Sequence, residues 1–297
     1  MKTRRRPPSG EGLILALVVV ALIGIGLAAL FAVLRPAAHQ VPLKPAGTNP
    51  AAHTGSAGSR SPSADPGRSS PAHGASKRPL AGKVVGIDPG HNGGNGADPA
   101  YINQLIWNGR ASETCDTTGT STDGGYTEAR YNFDVAQFLR ADLLKAGARV
   151  VMTRTSNTGV GPCVNRRAEI LNNAHPNVAI DIHADGGPPW GRGFSVLEPV
   201  ADGPNDKVIG SSARFGNDVL VAMTRHTPMP VSNYYGHDGI QPRDDLAGLN
   251  LATEPKVLIE CGNMRNATDA RLLTSPAFQK HVAAALTDAI ITFLTGR

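Results

Sequence analysis

The sequence predicts an α/β fold, a mostly parallel twisted sheet with helices on both faces, preceded by an N-terminal transmembrane helix. Three observations carry that expectation. After residue 80, short β-branched runs alternate with helical stretches, as strands joined by helical crossovers do. Residues 13–34 form an unbroken apolar run. Between the two, residues 35–80 are rich in Pro, Ala, Ser and Gly and contain no Phe, Trp or Tyr. Such a composition buries too little apolar surface to offset the entropy of ordering. The chain therefore divides into a cytoplasmic tail (1–12), a signal anchor (13–34), a disordered linker (35–80) and one folded domain (81–297).

A helix over Leu13–Leu34 is about 33 Å long and crosses a hydrocarbon core of about 30 Å. Lys2, Arg4, Arg5 and Arg6 precede it, and only Arg35 follows closely. The positive-inside rule puts the N-terminus in the cytoplasm and the folded domain outside. A cleaved signal peptide is the alternative, but its apolar region is shorter and ends at an A-x-A-like site. The expected location is the cell membrane, single-pass, or the exterior if the segment is removed. Of the 29 Lys/Arg and 24 Asp/Glu, 10 and 2 fall in residues 1–80, so the domain itself is slightly acidic. That argues against nucleic acid as a partner, because a nucleic-acid-binding domain carries its basic residues on the folded unit. Three cysteines exclude a disulfide-rich mini-protein and a four-cysteine zinc ribbon. No oligomeric seam is legible, and a monomer is expected.

Within the domain, Lys83–Asp88 (KVVGID) reads as a strand stopped by Pro-Gly. The stretch 92–127 is long and rich in Gly, Thr and Asn, which marks a functional or disordered loop. Glu128–Ala146 is a helix with Phe133, Ala136, Phe138, Leu139, Leu143 and Leu144 on a broad face and Gly147 as its stop. Arg149–Thr153 is a strand and Asn165–Asn173 a short helix. Val178–His183 (VAIDIH), Gly193–Glu198 and Lys256–Glu260 (KVLIE) are strands. Ser211–Thr227 and Pro276–Leu294 are helices.

Three of these strands run into a residue able to bind metal or move a proton: His91, His183 and Glu260. Ligands gather at the carboxyl ends of strands in open α/β sheets. Glu128, opening a helix, can face the same edge. Two histidines and a carboxylate are a common donor set for catalytic zinc, and a second carboxylate nearby would act as base. Each residue alone also has a plain structural reading. A strand-end histidine can be simply hydrogen-bonded, and Glu128 can be a first-turn acid favoured by the helix dipole. Glu260 ends a core-like strand, so it must be paired, ligated or functional. Asp88 and Asp181 are either partners orienting the histidines or strand-end hydrogen-bonders.

The runs GIDPGHNGG (86–94), TEARYNFDVAQFLRADLLKAGARVVMTR (127–154), NRRAEILNN (165–173), AIDIHADG (179–186) and VLIECGNMRN (257–266) together resemble the zinc-dependent N-acetylmuramoyl-L-alanine amidases, most of all compact actinobacterial members. The resemblance covers nearly all of 83–295. It implies Zn2+ held by His91, Glu128 and His183, with Glu260 as catalytic base. It implies peptidoglycan as substrate, cut at the amide between N-acetylmuramic acid and L-alanine. Three departures stand out. Asn157 lies near a position that is often acidic in the family. The segment after His91 is longer than usual. Many relatives carry a wall-binding module; none is legible here, so wall proximity is expected to rest on the membrane tether. A zinc peptidase cutting within the stem peptide, or a gated or inactive peptidoglycan-binding domain awaiting a regulatory protein, are the competing readings.

Cys115 and Cys163 both lie in loops of an exported domain and are expected to form a disulfide. Cys261, extending the apolar run of its strand, reads as a buried free thiol. Arg167, Arg243 and Arg265 could meet substrate carboxylates or could be pairing residues of the surface and core. His175, His226 and His237 read as surface or substrate-edge residues.

Overall fold

The computed structural model describes residues 78–296. The tail 1–12, the apolar run 13–34 and the linker as far as residue 77 lie outside the described residues. Among the described residues no helix is long and apolar enough to cross a membrane.

The domain opens with β1 (Val84–Pro89). A short helix α1 (Pro99–Ile102) and a hairpin of β2 (Leu105–Trp107) and β3 (Ser112–Thr114) follow. Next come α2 (Glu128–Lys145), β4 (Arg149–Met152), α3 (Val164–Ala174), β5 (Val178–Asp185) and β6 (Ser195–Pro199). The chain ends with α4 (Ile209–His226), β7 (Ile240–Arg243), α5 (Ala247–Asn250), β8 (Lys256–Asn263), α6 (Ala267–Leu273) and α7 (Pro276–Thr295). Six strands form one sheet in the order β4-β1-β5-β8-β6-β7. β4, β1, β5 and β8 are mutually parallel. β6 runs antiparallel to β8, with β7 parallel to β6.

The sheet is thus parallel in its chemically important half and reversed at one end. The reversal has a simple cause. Residues 186–194 join β5 to β6, fewer than the dozen or more that a parallel crossover needs.

Side-chain alternation assigns the two faces. Val85, Ile87, Ile180, Ile182, Val257 and Ile259 point into the main core with Leu139 and Leu143 of α2, Phe215 of α4 and Leu286 of α7. Full burial of each such side chain contributes about 1.5–3 kcal/mol. The opposite face carries a smaller cluster of Leu197, Leu249 and Leu258 and is covered by α3 and α5. α2 starts at Thr127, whose hydroxyl accepts from the Arg130 N–H, and stops just before Gly147 at φ +98°, a backbone that glycine adopts without strain. Leu144 does not belong to its buried face. It is 42 % exposed, because it lies one residue, about 100°, beyond Leu143 on the helix.

The 92–127 stretch is not structureless. Asp98 caps α1 by accepting from the Tyr101 N–H, with Pro99 at the first helical position. The hairpin follows, and Cys115 is bonded to Cys163 at the start of α3. β7 and α6 also lie in stretches with no strong periodic signal.

Candidate metal centre

The carboxyl ends of β1, β5 and β8 and the first turn of α2 meet at one edge of the sheet. β1 passes through Pro89 and Gly90 to His91, whose φ of 56° is a left-handed backbone uncommon for a non-glycine residue. Its ring lies 5.0 Å from that of His183, edge to face. Glu128 reaches both. Its Oε2 is 3.3 Å from His91 Nε2, and its Oε1 accepts from His183 Nδ1 at 2.8 Å. One donor atom from each of the three residues lies within 4.8 Å of the other two. Glu128 is aimed by the Thr120 N–H, which donates to Oε2 at 2.9 Å. Two glycines leave the necessary room. A Cβ on Gly90 would sit 2.1 Å from the His183 ring, and one on Gly119 (φ +70°) would crowd both His91 and Glu128.

The electrostatics are those of a cation site. Burial works against the charged form of His91, but the Glu128 and Asp116 carboxylates outweigh it and push its pKa up to about 10. Burial opposes ionisation of Glu128 as well, yet His91 and His183 hold its carboxyl well below the usual range. Two imidazoles and one carboxylate, drawn together and mostly enclosed, suit a divalent ion such as zinc with an open position for water or substrate.

Glu260 stands beside this cluster. It pairs in register with His183 across β5 and β8. Its Oε2 is buried and has no hydrogen-bond partner, an arrangement that costs free energy unless something binds there. Burial, with the Glu128 and Asp185 carboxylates nearby, pushes its pKa well above the ordinary value. A cavity of about 190 Å³ opens next to the histidines, lined by Glu113 and Thr114 of the hairpin, Leu246 and Gly248.

A family described as N-acetylmuramoyl-L-alanine amidase matches residues 85–292. The chain belongs to that family. The N-acetylmuramoyl-L-alanine amidase Rv3717 of Mycobacterium tuberculosis is 40% identical over 222 residues, covering 72% of this chain and 88% of its own. The germination-specific amidase of Bacillus subtilis is 25% identical over 231 residues, covering 73% and 82%. Among solved structures, the amidase Ami1 of Mycobacterium smegmatis matches with a TM-score of 0.69 at 40% identity, covering 73% of this chain and 99% of that one. The amidase hydrolyses the amide that joins N-acetylmuramic acid to the L-alanine of peptidoglycan stem peptides.

Other polar residues of the amidase fall into place around the cluster. Asp116, which carries no motif of its own, accepts from His91 Nδ1 at 3.1 Å. The only signal for it was its place next to Cys115. Asp88 and Asp181 do not bond either histidine. Asp88 accepts from Thr153 and Arg167, and Asp181 lies 2.8 Å from the Lys256 ammonium. Arg167 is buried rather than facing substrate, pairing with Asp88 and Asp116. Arg243 bonds Asp245 and the Tyr235 hydroxyl, and Arg265 pairs with Asp123. Asn157 accepts from the Gly93 N–H and from Arg154, a bracing role. Cys261 is buried and free, with its pKa pushed up to about 12 by burial, which suits packing rather than nucleophilic attack. His175 and His237 are exposed, and His226 pairs with Asp288 at the surface.

Proposed function

We propose that His91, Glu128 and His183 hold a catalytic Zn2+ and that Glu260 is the general base of the amidase. The observation that carries this is the convergence of the three donor atoms beside a buried carboxylate oxygen with no partner of its own. Bound there, zinc supplies Lewis acidity toward water and the substrate carbonyl. The protein's own groups do the rest. Asp116 fixes the His91 ring through Nδ1 and leaves Nε2 as the donor to the ion. Glu260 Oε2 takes a proton from the attacking water and delivers it to the departing L-alanine nitrogen. Water is thereby added across the amide, giving a stem peptide with a free L-alanine amino terminus and a bare lactyl carboxylate on the glycan. The cavity of about 190 Å³ beside the histidines, lined in part by Glu113 and Thr114 of the hairpin, supports a seat for part of that peptide.

The same proposal extends to location. The 22-residue apolar run with Lys2, Arg4, Arg5 and Arg6 before it supports a single-pass anchor that keeps the amidase outside the cytoplasm, with 35–80 as a tether to the wall. The Cys115–Cys163 bridge supports an oxidising compartment.

The test is a digest of purified peptidoglycan with and without a chelator, reading new amino termini by mass spectrometry. Chelator-sensitive release of peptides beginning with L-alanine is expected. Termini at another stem residue would make the enzyme a zinc peptidase. No release from zinc-loaded protein would point to a gated or binding role.

A further inference from the structure

Arg167 is among the largest fully buried side chains of the described residues, and the mechanism leaves it without a task. Its position is unusual because every guanidinium N–H is used. The side chain has five N–H donors; each meets an acceptor within 3.2 Å, and a sixth acceptor, the Thr153 hydroxyl, lies 3.5 Å from Nη1. Nε donates to the Pro162 carbonyl at 2.9 Å. Nη1 donates to Asp88 Oδ1 at 2.9 Å and to the Pro89 carbonyl at 2.8 Å. Nη2 donates to the His91 carbonyl at 2.8 Å and to Asp116 Oδ2 at 3.2 Å.

Two features separate this from an ordinary buried ion pair. First, His91 holds a φ of 56°, a conformation that persists only where the surroundings over-determine it. The carbonyls of Pro89 and His91, on either side of that bend, are both bonded to Arg167. Arg154 also reaches the Pro89 and Gly90 carbonyls, but no bond joins it to His91 or Asp116. Second, Asp116 is shared. One oxygen accepts from Arg167 and the other from His91 Nδ1 and the Thr117 N–H, so the guanidinium and the Thr117 amide together set the carboxylate that sets the imidazole. The Cys115–Cys163 bond closes the frame, because Asp116 follows Cys115 and the Arg167 N–H bonds the Cys163 carbonyl at 3.0 Å.

We propose that Arg167 is a positioning residue of the metal centre, holding His91 by its backbone directly and by its ring through Asp116. This rests on the reading of His91 as a metal ligand. The role depends on the planar fork. A lysine keeps the charge but offers one nitrogen where three are used.

The test compares the full chain as wild type, Arg167→Lys, Asp116→Asn and the exposed neighbour Arg166→Lys. Zinc affinity is measured by competition with a chromophoric chelator, and the melting temperature is measured on chelator-stripped protein. Arg167→Lys and Asp116→Asn are expected to bind zinc about 10–100-fold more weakly. Asp116→Asn is expected to do so with a melting temperature near that of stripped wild type, and Arg166→Lys to match wild type in both. At saturating zinc, both site variants should lose kcat while KM stays put. If Arg167→Lys does not fold, Asp116→Asn decides. Folded variants that bind zinc as tightly as wild type overturn the positioning role, and so does an affinity loss that merely follows the melting temperature. A wild type that binds no zinc overturns the metal-centre reading itself, and this inference with it.

Discussion

His183 and Glu260 are register partners on adjacent parallel strands. A metal-donor candidate and a base candidate are therefore held apart by one inter-strand spacing of the sheet. Flanking loops can move without changing it.

Glu260→Gln keeps the shape and removes the base. Zinc content by elemental analysis should stay at wild-type level, while hydrolysis of peptidoglycan falls about 10²–10⁴-fold, the usual worth of general-base catalysis. Undiminished turnover would remove Glu260 from the mechanism.

His183→Ala should bind less than one zinc per chain in equilibrium dialysis. Its ring is largely enclosed and bonded to Glu128, so the same change also removes one partner of that carboxylate. Full stoichiometry after exhaustive dialysis would exclude His183 from the donor set.

Gly90→Ala is a steric probe of the same ring. The added methyl would meet the His183 imidazole at 2.1 Å, closer than any real contact, and one of the two must shift. Activity and zinc affinity should both drop while far-UV circular dichroism is unchanged. A fully active variant would show that the ring can move without loss.

Replacing Cys115 and Cys163 by Ser opens a bridge between positions separated by 48 residues. The chain-entropy model gives a loss of about 4 kcal/mol, to be read from urea unfolding of the two proteins side by side. No loss would mean that the packing around α3 alone holds the segment in place.

A pH dependence follows from Asp181. Burial is the main reason that its pKa is raised to about 8, with Lys256 opposing the shift and Asp88 adding to it. A folded value above the unfolded value of 3.8 means that the native state binds the extra proton. The associated stability is complete below pH 3.8 and is lost as the pH rises through about 8. Asp181→Asn cannot titrate. The stability of wild type relative to this variant should therefore decline from about pH 4 to about pH 8 and level off above, in urea melts. A constant difference would mean that Asp181 is already ionised in the fold.

The chemistry was more legible in the sequence than its support. His91, His183 and Glu260 stand out because apolar strands run straight into them, and only polar chemistry or a partner explains a charge there. Glu128 is visible as the first residue of a strongly marked helix. Asp116 is not, because its partner is chosen by how the chain between β1 and α2 folds, and nothing periodic marks that stretch. Arg167 was ambiguous for a related reason. An arginine on a short helix reads as surface until Asp88 and Asp116 are found around it. The reversal of β6 was within reach, since loop length alone forbids a parallel crossover, but alternation within a strand carries no direction.

Just past Glu260 the β5–β8 ladder slips. His183 pairs with Glu260, yet Asp185 pairs with Asn263, and Gly262 takes up the extra residue at φ +153°. That slip works as a seam. Below it, paired strands fix the reacting groups. Above it, the connection 186–194 is free of the ladder's spacing. That rim can be lengthened or its residues exchanged to suit a different wall chemistry while the paired strands beneath keep His183 and Glu260 side by side.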